Sequence, residues 1–189
     1  MWWPLATERV VRWADGTSRG ERVNKLSLAC WLFLVLHCMS AAGAQHDKAA
    51  REATLRSEVK AAFDRYYEWF SAGRTDLIAE NAYNAPAFFL GVDGPDVRIT
   101  REDVKKRFDT QRKALNAQGY LRSEMLKPTI CVLNENAAIV SGRYLRYRKD
   151  GSVLGEFGAT YIMARMKDGW RVVTLINHTN ANEIVTCSK

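Results

Sequence analysis

The chain has 189 residues, room for one domain with a real core. Its 28 basic and 21 acidic residues give a moderate formal charge of +7. The basic residues are scattered (Lys105, Lys106, Arg107, Arg112 and Lys113 on one predicted helix; Arg143, Arg146, Arg148 and Lys149 on one predicted strand) and no nucleic-acid-binding motif accompanies them. They read as solvated faces, so nucleic acid is not an expected partner.

Residues 1–22 show no sustained periodicity and lie outside any predicted domain. Residues 23–44 have the layout of a secretory signal: Lys25, a short apolar run from Leu26 to Cys38, and the small-x-small pattern Ala42-Gly43-Ala44. The run is shorter than the roughly 20 residues a membrane span needs. A signal belongs at the start of a product, so translation is expected to begin at Val23, with 1–22 a non-native upstream extension. The mature chain, 45–189, is then expected in the periplasm or secreted, without a membrane span. Cleavage removes Cys30 and Cys38 and leaves Cys131 and Cys187. In an exported protein these form either one disulfide, clipping the C-terminal tail to the sheet, or two separate thiols.

From Asp47 to Ser71 the spacing predicts a helix, with Leu55, Val59, Ala62, Phe63, Tyr66 and Phe70 on one stripe and Gly73 as its stop. A second, shorter helix is predicted from Thr75 to about Tyr83, ended by Pro86. Phe88–Val92 and Val97–Ile99 are short extended pieces about a turn at Gly91–Pro95. Thr100 caps a third helix, with Asp103 at the capping-box position, Val104, Phe108 and Leu115 inward, and Gly119 as stop. Tyr120–Leu133 is a strand interrupted by Pro128, which implies an edge or a bulge. Asn134-Glu135-Asn136 then turns into three antiparallel strands spanning Ala137–Asn180.

Those strands are joined at Lys149-Asp150-Gly151-Ser152 and Lys167-Asp168-Gly169-Trp170, and Asp-Gly between apolar runs is a strong hairpin signal. Two-residue turns at both places set Tyr144 opposite Phe157, Gly142 opposite Ala159 and Val140 opposite Tyr161. They also set Met163 opposite Thr174, Tyr161 opposite Ile176 and Ala159 opposite His178. One face then carries Val140, Tyr144, Phe157, Tyr161, Met163, Ile176 and His178. The other carries Ile139, Ser141, Arg143, Thr160, Ile162, Leu175 and Asn177. The first is bulkier and more aromatic, so it is expected under the helices. Its small residues Gly142 and Ala159 lie between large rings and leave a hollow edged by His178. A single β-bulge would change this register.

Three phrases carry a family resemblance: Tyr67–Leu77 (YEWFSAGRTDL), Ile99–Val104 (ITREDV), and Lys167–Val173 (KDGWRVV) with His178 beyond it. With the order of elements they make residues 48–180 resemble the NTF2-like superfamily, most nearly its SnoaL-like branch. The resemblance implies an α+β cone: three N-terminal helices packed on a curved four-stranded antiparallel meander plus short strands, with a pocket at one end and often a dimer. The convex face, mixing Ile139, Leu145, Leu154, Ile162 and Leu175 with Ser141, Thr160 and Asn177, is the expected homodimer interface. The superfamily's ketosteroid isomerisation uses a carboxylate base, a tyrosine and a neutral acid. Tyr66 matches the tyrosine. The base position falls near Leu90 and the acid near Thr160 or Tyr161, so the isomerase mechanism does not carry over.

Tyr66, Tyr144, Tyr161 and Phe157 are thus the candidate ligand-binding residues, with the phenols as donors or as aromatic core. His178, the one histidine inside the domain, is the candidate acid–base group or a structural histidine at the sheet end. One histidine without a carboxylate on its face gives no metal set, and no cofactor is expected. Three functions remain open: binding of a small apolar or aromatic ligand, metal-free acid–base catalysis of the cyclase, dehydratase or isomerase kind, and a homodimeric interaction domain.

Overall fold

A computed structural model describes residues 25–187, with side chains from Gln45. Chain contacts separate Met1–Ala44 from a compact unit, Gln45–Lys189. The expected upstream extension, 1–22, and the first two residues of the expected signal lie outside the described residues. Among those described, no helix is long and apolar enough to cross a membrane.

Helix α1 spans Lys25–Ala72. Its stripe of Leu55, Val59, Ala62, Phe63, Tyr66 and Phe70 is buried, and it ends where Gly73 takes φ 73° and the amide of Arg74 donates to Trp69 O. Positive φ is why glycine stands there. The expected second helix is shorter than its pattern suggests: α2 covers Thr75–Leu77 and runs into a π-helical turn, Ile78–Ala82. Arg171, from the last strand, donates to the carbonyls of Glu80 and Tyr83 and so ties down this turn.

Strand β1 is Tyr83–Gly91, five residues longer at its start than the expected Phe88–Val92. Pro86, read as a helix stop, lies inside it. The proline is tolerated because pairing with the last strand shifts between Tyr83 and Phe88, where a missing N–H costs no ladder bond. Strand β2, Gly94–Arg98, pairs antiparallel with β1. Helix α3, Arg101–Ala117, begins with a full capping box: Asp103 N donates to Thr100 Oγ1 at 3.1 Å, and Thr100 N to Asp103 Oδ2 at 3.0 Å. Its Val104, Phe108 and Leu115 are buried. Removing the cap with Thr100→Ala should lower the unfolding free energy by about 1 kcal/mol in a denaturant titration; an unchanged midpoint would show that the box is not used.

Strands β3 (Tyr120–Asn134), β4 (Ala137–Arg148), β5 (Val153–Met166) and β6 (Gly169–Asn177) complete one six-stranded sheet of order β2-β1-β6-β5-β4-β3. The expected four-stranded meander is correct for β3–β6. The short strands are not accessory, however, because β1 lies parallel to β6 and extends the same sheet. Nor do all three helices precede the strands, since α3 follows β2. Pro128 is at both expected places: β3 is an edge, and its pairing shifts between Leu126 and Thr129.

The two hairpins depart from two-residue Asp-Gly turns in different ways. In the first, the amide of Arg148 donates to Ser152 O around a three-residue loop, with Gly151 at φ 84°. That loop is one residue longer than expected, and an extra residue at Leu154 restores the step. Val140 opposite Tyr161, Gly142 opposite Ala159 and Tyr144 opposite Phe157 are therefore as expected. In the second, Met166 pairs with Gly169 rather than Lys167 with Trp170, and a bulge at Val173 leaves the far half one residue out of the expected step. A slip of one exchanges faces. Leu175 thus sits opposite Tyr161 and Asn177 opposite Ala159, in the places expected for Ile176 and His178.

Beyond β6 the chain folds back over the outer side of the sheet. The His178 amide donates to Gly158 O, Val185 N donates to Ser141 Oγ at 3.0 Å, and Cys187 is disulfide-bonded to Cys131 with Cα atoms 5.6 Å apart. Gly158 is required by this crossing: a Cβ there would lie 2.8 Å from His178 Nδ1 and 3.0 Å from Ala181 O. Ser141 and Thr160, expected at a contact between copies, are buried and joined to each other at 2.8 Å beneath the chain's own tail.

Candidate functional site

The inner face of the sheet, α1 and α3 enclose a cavity of about 270 Å³. Helix α1 contributes Tyr66, Tyr67 and Phe70, because residues 63, 66, 67 and 70 fall along one side at helical spacing. Alternation along β4 and β5 brings in Tyr144, Phe157 and Tyr161. The rings form one aromatic set. Tyr144 stacks on Phe157 with centroids 5.2 Å apart, Tyr66 meets Tyr161 at 6.0 Å, and Tyr67 meets Tyr144 edge-on at 6.4 Å. The hydroxyls of Tyr67 and Tyr161 are 3.2 Å apart.

All four candidate ligand residues, Tyr66, Tyr144, Tyr161 and Phe157, line this space. His178 borders it too, but the shifted register turns its imidazole toward the outer side, where Nε2 is 2.8 Å from Thr160 Oγ1. Its Nδ1 is buried without a partner among the described residues. Neither Leu90 nor Thr160, the positions matching the isomerase base and one of its acid positions, lines the cavity.

Burial governs the phenols. Desolvation pushes Tyr66 up to about 12, and raises Tyr67 and Tyr161 well above the usual range and Tyr144 above it. Arg107 and Arg146 pull against this at Tyr66 and Tyr144 without reversing it. At neutral pH the cavity hydroxyls are therefore protonated donors and not bases. Among the described residues no group of three His, Cys, Asp or Glu side chains is placed to hold a metal ion.

Several lining residues escape the sequence reading: Tyr67, Arg107, Gln111, Ser123, Arg146 and Asn177. Two had a signal. Arg146 lies two residues beyond Tyr144 on the same strand face, so the correct register already turns it inward; grouping it with neighbouring basic residues hid that. Arg107 and Gln111 flank Phe108 and lie three and seven residues after Val104, beside the inward stripe of α3. Asn177 had none, because the bulge that turns it inward leaves no mark in composition.

A helix-backed, six-stranded curved α+β sheet with an aromatic pocket is the architecture of NTF2-like domains. A family model described as "NTF2-like protein (DUF6841)" matches residues 57–180, and the chain belongs to that family. No curated protein matches the chain. Among solved structures, an NTF2-like protein with a cystatin-like fold from Novosphingobium aromaticivorans is similar at 20% identity and TM-score 0.57, over 68% of this chain and 85% of that one. Aln2 from a Streptomyces species is similar at 16% identity and TM-score 0.54, over 66% and 90%. A putative calcium/calmodulin dependent protein kinase II association domain from Xanthomonas campestris gives 18% identity and TM-score 0.53, over 67% and 88%. At such identities the likeness is one of fold alone.

Proposed function

We propose that this NTF2-like domain is exported and binds a small, flat, aromatic ligand non-covalently in the cone pocket. The carrying observation is the cavity itself: about 270 Å³ ringed by four tyrosines and Phe157, with no acidic side chain in its lining. That volume lies just below the usual range for small-molecule sites, about 300–1,000 Å³, and suits one or two fused rings. Flat aromatic walls favour stacked and edge-on rings, and the protonated hydroxyls supply donors that fix orientation. Acid–base turnover fits less well. The phenols are held protonated, and the His178 imidazole is engaged with Thr160.

Export is supported by the apolar run and small-x-small site of residues 23–44 and by the Cys131–Cys187 disulfide, a bond that persists in oxidising compartments. Mass spectrometry of the periplasmic or secreted protein should find an N-terminus at Gln45; a cytosolic product starting upstream would refute this. For binding, ligand-observed NMR with a set of one- and two-ring aromatic compounds should show saturation transfer from wild type to the compounds. Asn177→Trp, which fills the cavity from its rim, should abolish the transfer. Equal transfer from both proteins would place any binding elsewhere.

A further inference from the structure

The cavity's charge is one-sided. Two guanidinium groups, Arg107 on α3 and Arg146 on β4, line it, and no aspartate or glutamate does. Arg107 is held in position rather than neutralised. Its Nε donates to Asp96 Oδ2 at 3.1 Å, and its guanidinium lies 3.7 Å from the centroid of Phe89. Asp96 is shared, because it also takes Arg98 at 2.7 Å, so one carboxylate serves two cations. Burial works to raise Asp96, yet its hydrogen bonds and charge contacts with Arg98 and Arg107 outweigh it and hold the carboxyl below its usual range.

Arg146 has no such anchor. It forms no ion pair among the described residues, and its Nε is buried without a hydrogen-bond partner. Its guanidinium lies 4.8 Å from the centroid of Phe157 and 5.5 Å from that of Tyr144, against two rings of the cavity wall. The lining hydroxyls and side-chain amides can also donate: those of the tyrosines, Ser123, Gln111 and Asn177. A half-buried guanidinium whose buried Nε is an unfilled donor, set among other donors, lacks one thing, an acceptor bearing negative charge.

We infer that the ligand is an anion, an aromatic acid whose carboxylate is taken by Arg146 and Arg107 while its ring lies among Phe157, Tyr144, Tyr67 and Tyr161. This rests on the binding function proposed above and adds the charge of the ligand to it. The guanidinium fork matches a carboxylate in two parallel hydrogen bonds, and stacking against Phe157 orients that fork before the ligand arrives.

The test compares 2-naphthoate with its neutral isostere 2-naphthamide, and with acetate, by NMR titration of wild type, Arg146→Gln, Arg146→Lys and Arg107→Gln. Circular dichroism melts serve to confirm that each variant is folded. The expected result is that naphthoate binds wild type at least about tenfold more tightly than naphthamide. Arg146→Gln should remove that preference by weakening naphthoate much more than naphthamide, Arg146→Lys should restore part of it, and acetate should bind more weakly than naphthoate because it lacks the ring. Equal affinity for acid and amide in wild type would overturn the anion assignment while leaving an aromatic pocket. A preference that survives both glutamine variants would overturn the assignment to these arginines. Acetate binding as tightly as naphthoate would mean an inorganic-anion site and would overturn the aromatic acid. Binding of none of the three would sink the pocket function together with this inference.

Discussion

Replacing Cys131 and Cys187 together by serine lowers the unfolding free energy by about 4 kcal/mol, the chain-entropy value for a loop of this size. The bond spans a sequence separation of 56 residues. Without it the unfolded chain regains the freedom that the closed loop denies, while the native contacts of the tail remain few: the His178 and Val185 amides and the His178–Thr160 contact. Two measurements check this. Denaturant unfolding of the double variant should give a lower midpoint than oxidised wild type, and wild type unfolded in reductant should match the variant. Agreement between them separates loss of the bond from any effect of the serines. A change below about 0.5 kcal/mol in both, the size of an ordinary surface substitution, would mean that the tail contributes nothing to the folded unit.

Raising the pH past 10 should unfold this protein cooperatively, and the phenolates of Tyr66, Tyr67, Tyr83, Tyr144 and Tyr161 should appear with the unfolding rather than before it. Five tyrosines, Tyr66, Tyr67, Tyr83, Tyr144 and Tyr161, are raised above their ordinary value of 10.0, each chiefly by desolvation. The folded state thus keeps protons that the unfolded state gives up. Stability from this source is fully present below pH 10 and is lost as pH climbs through the folded values. For Tyr66, pushed up to about 12, ionising in place costs about 3 kcal/mol, and the other four act in the same direction. The check is to follow phenolate absorbance and circular dichroism together on one alkaline titration. Coincident, steep curves are expected. A gradual rise in phenolate with the dichroism intact would show that water already reaches these hydroxyls.

The legible parts of the fold are those where side-chain period decides structure. The stripe from Leu55 to Phe70 could only be a one-sided helix, and Thr100 with Asp103 marks the next helix start by capping chemistry. Tyr144, Phe157 and Tyr161 were also placed correctly, though partly through cancellation: the longer loop at Gly151 is offset by the extra residue at Leu154. No such offset rescues β6. The bulge at Val173 is set by how Trp170, Val172 and Leu175 all reach buried positions, a packing choice made by the whole sheet. It turned the His178 imidazole toward the outer side of the sheet and brought Asn177 into the pocket wall. Pro86 misled for a related reason. Proline forbids a central ladder bond, but whether a given residue needs that bond depends on a partner strand at the far end of the domain. The electropositive side of the pocket was readable from Arg146 alone, since the register that faced Tyr144 inward also faced its second neighbour inward.

The tail's tether has a topological result. Joining Cys131 on β3 to Cys187 encloses β4, β5 and β6 in one covalent ring. The exposed lysines at the hairpin tips, Lys149 and Lys167, both lie inside it. A protease that cuts either tip opens the ring without freeing a piece: the nicked protein keeps both segments and stays at its full mass plus one water. Two bands separate only when a thiol reagent is added, so a clipped domain persists as a single assembled unit for as long as the bond stays oxidised.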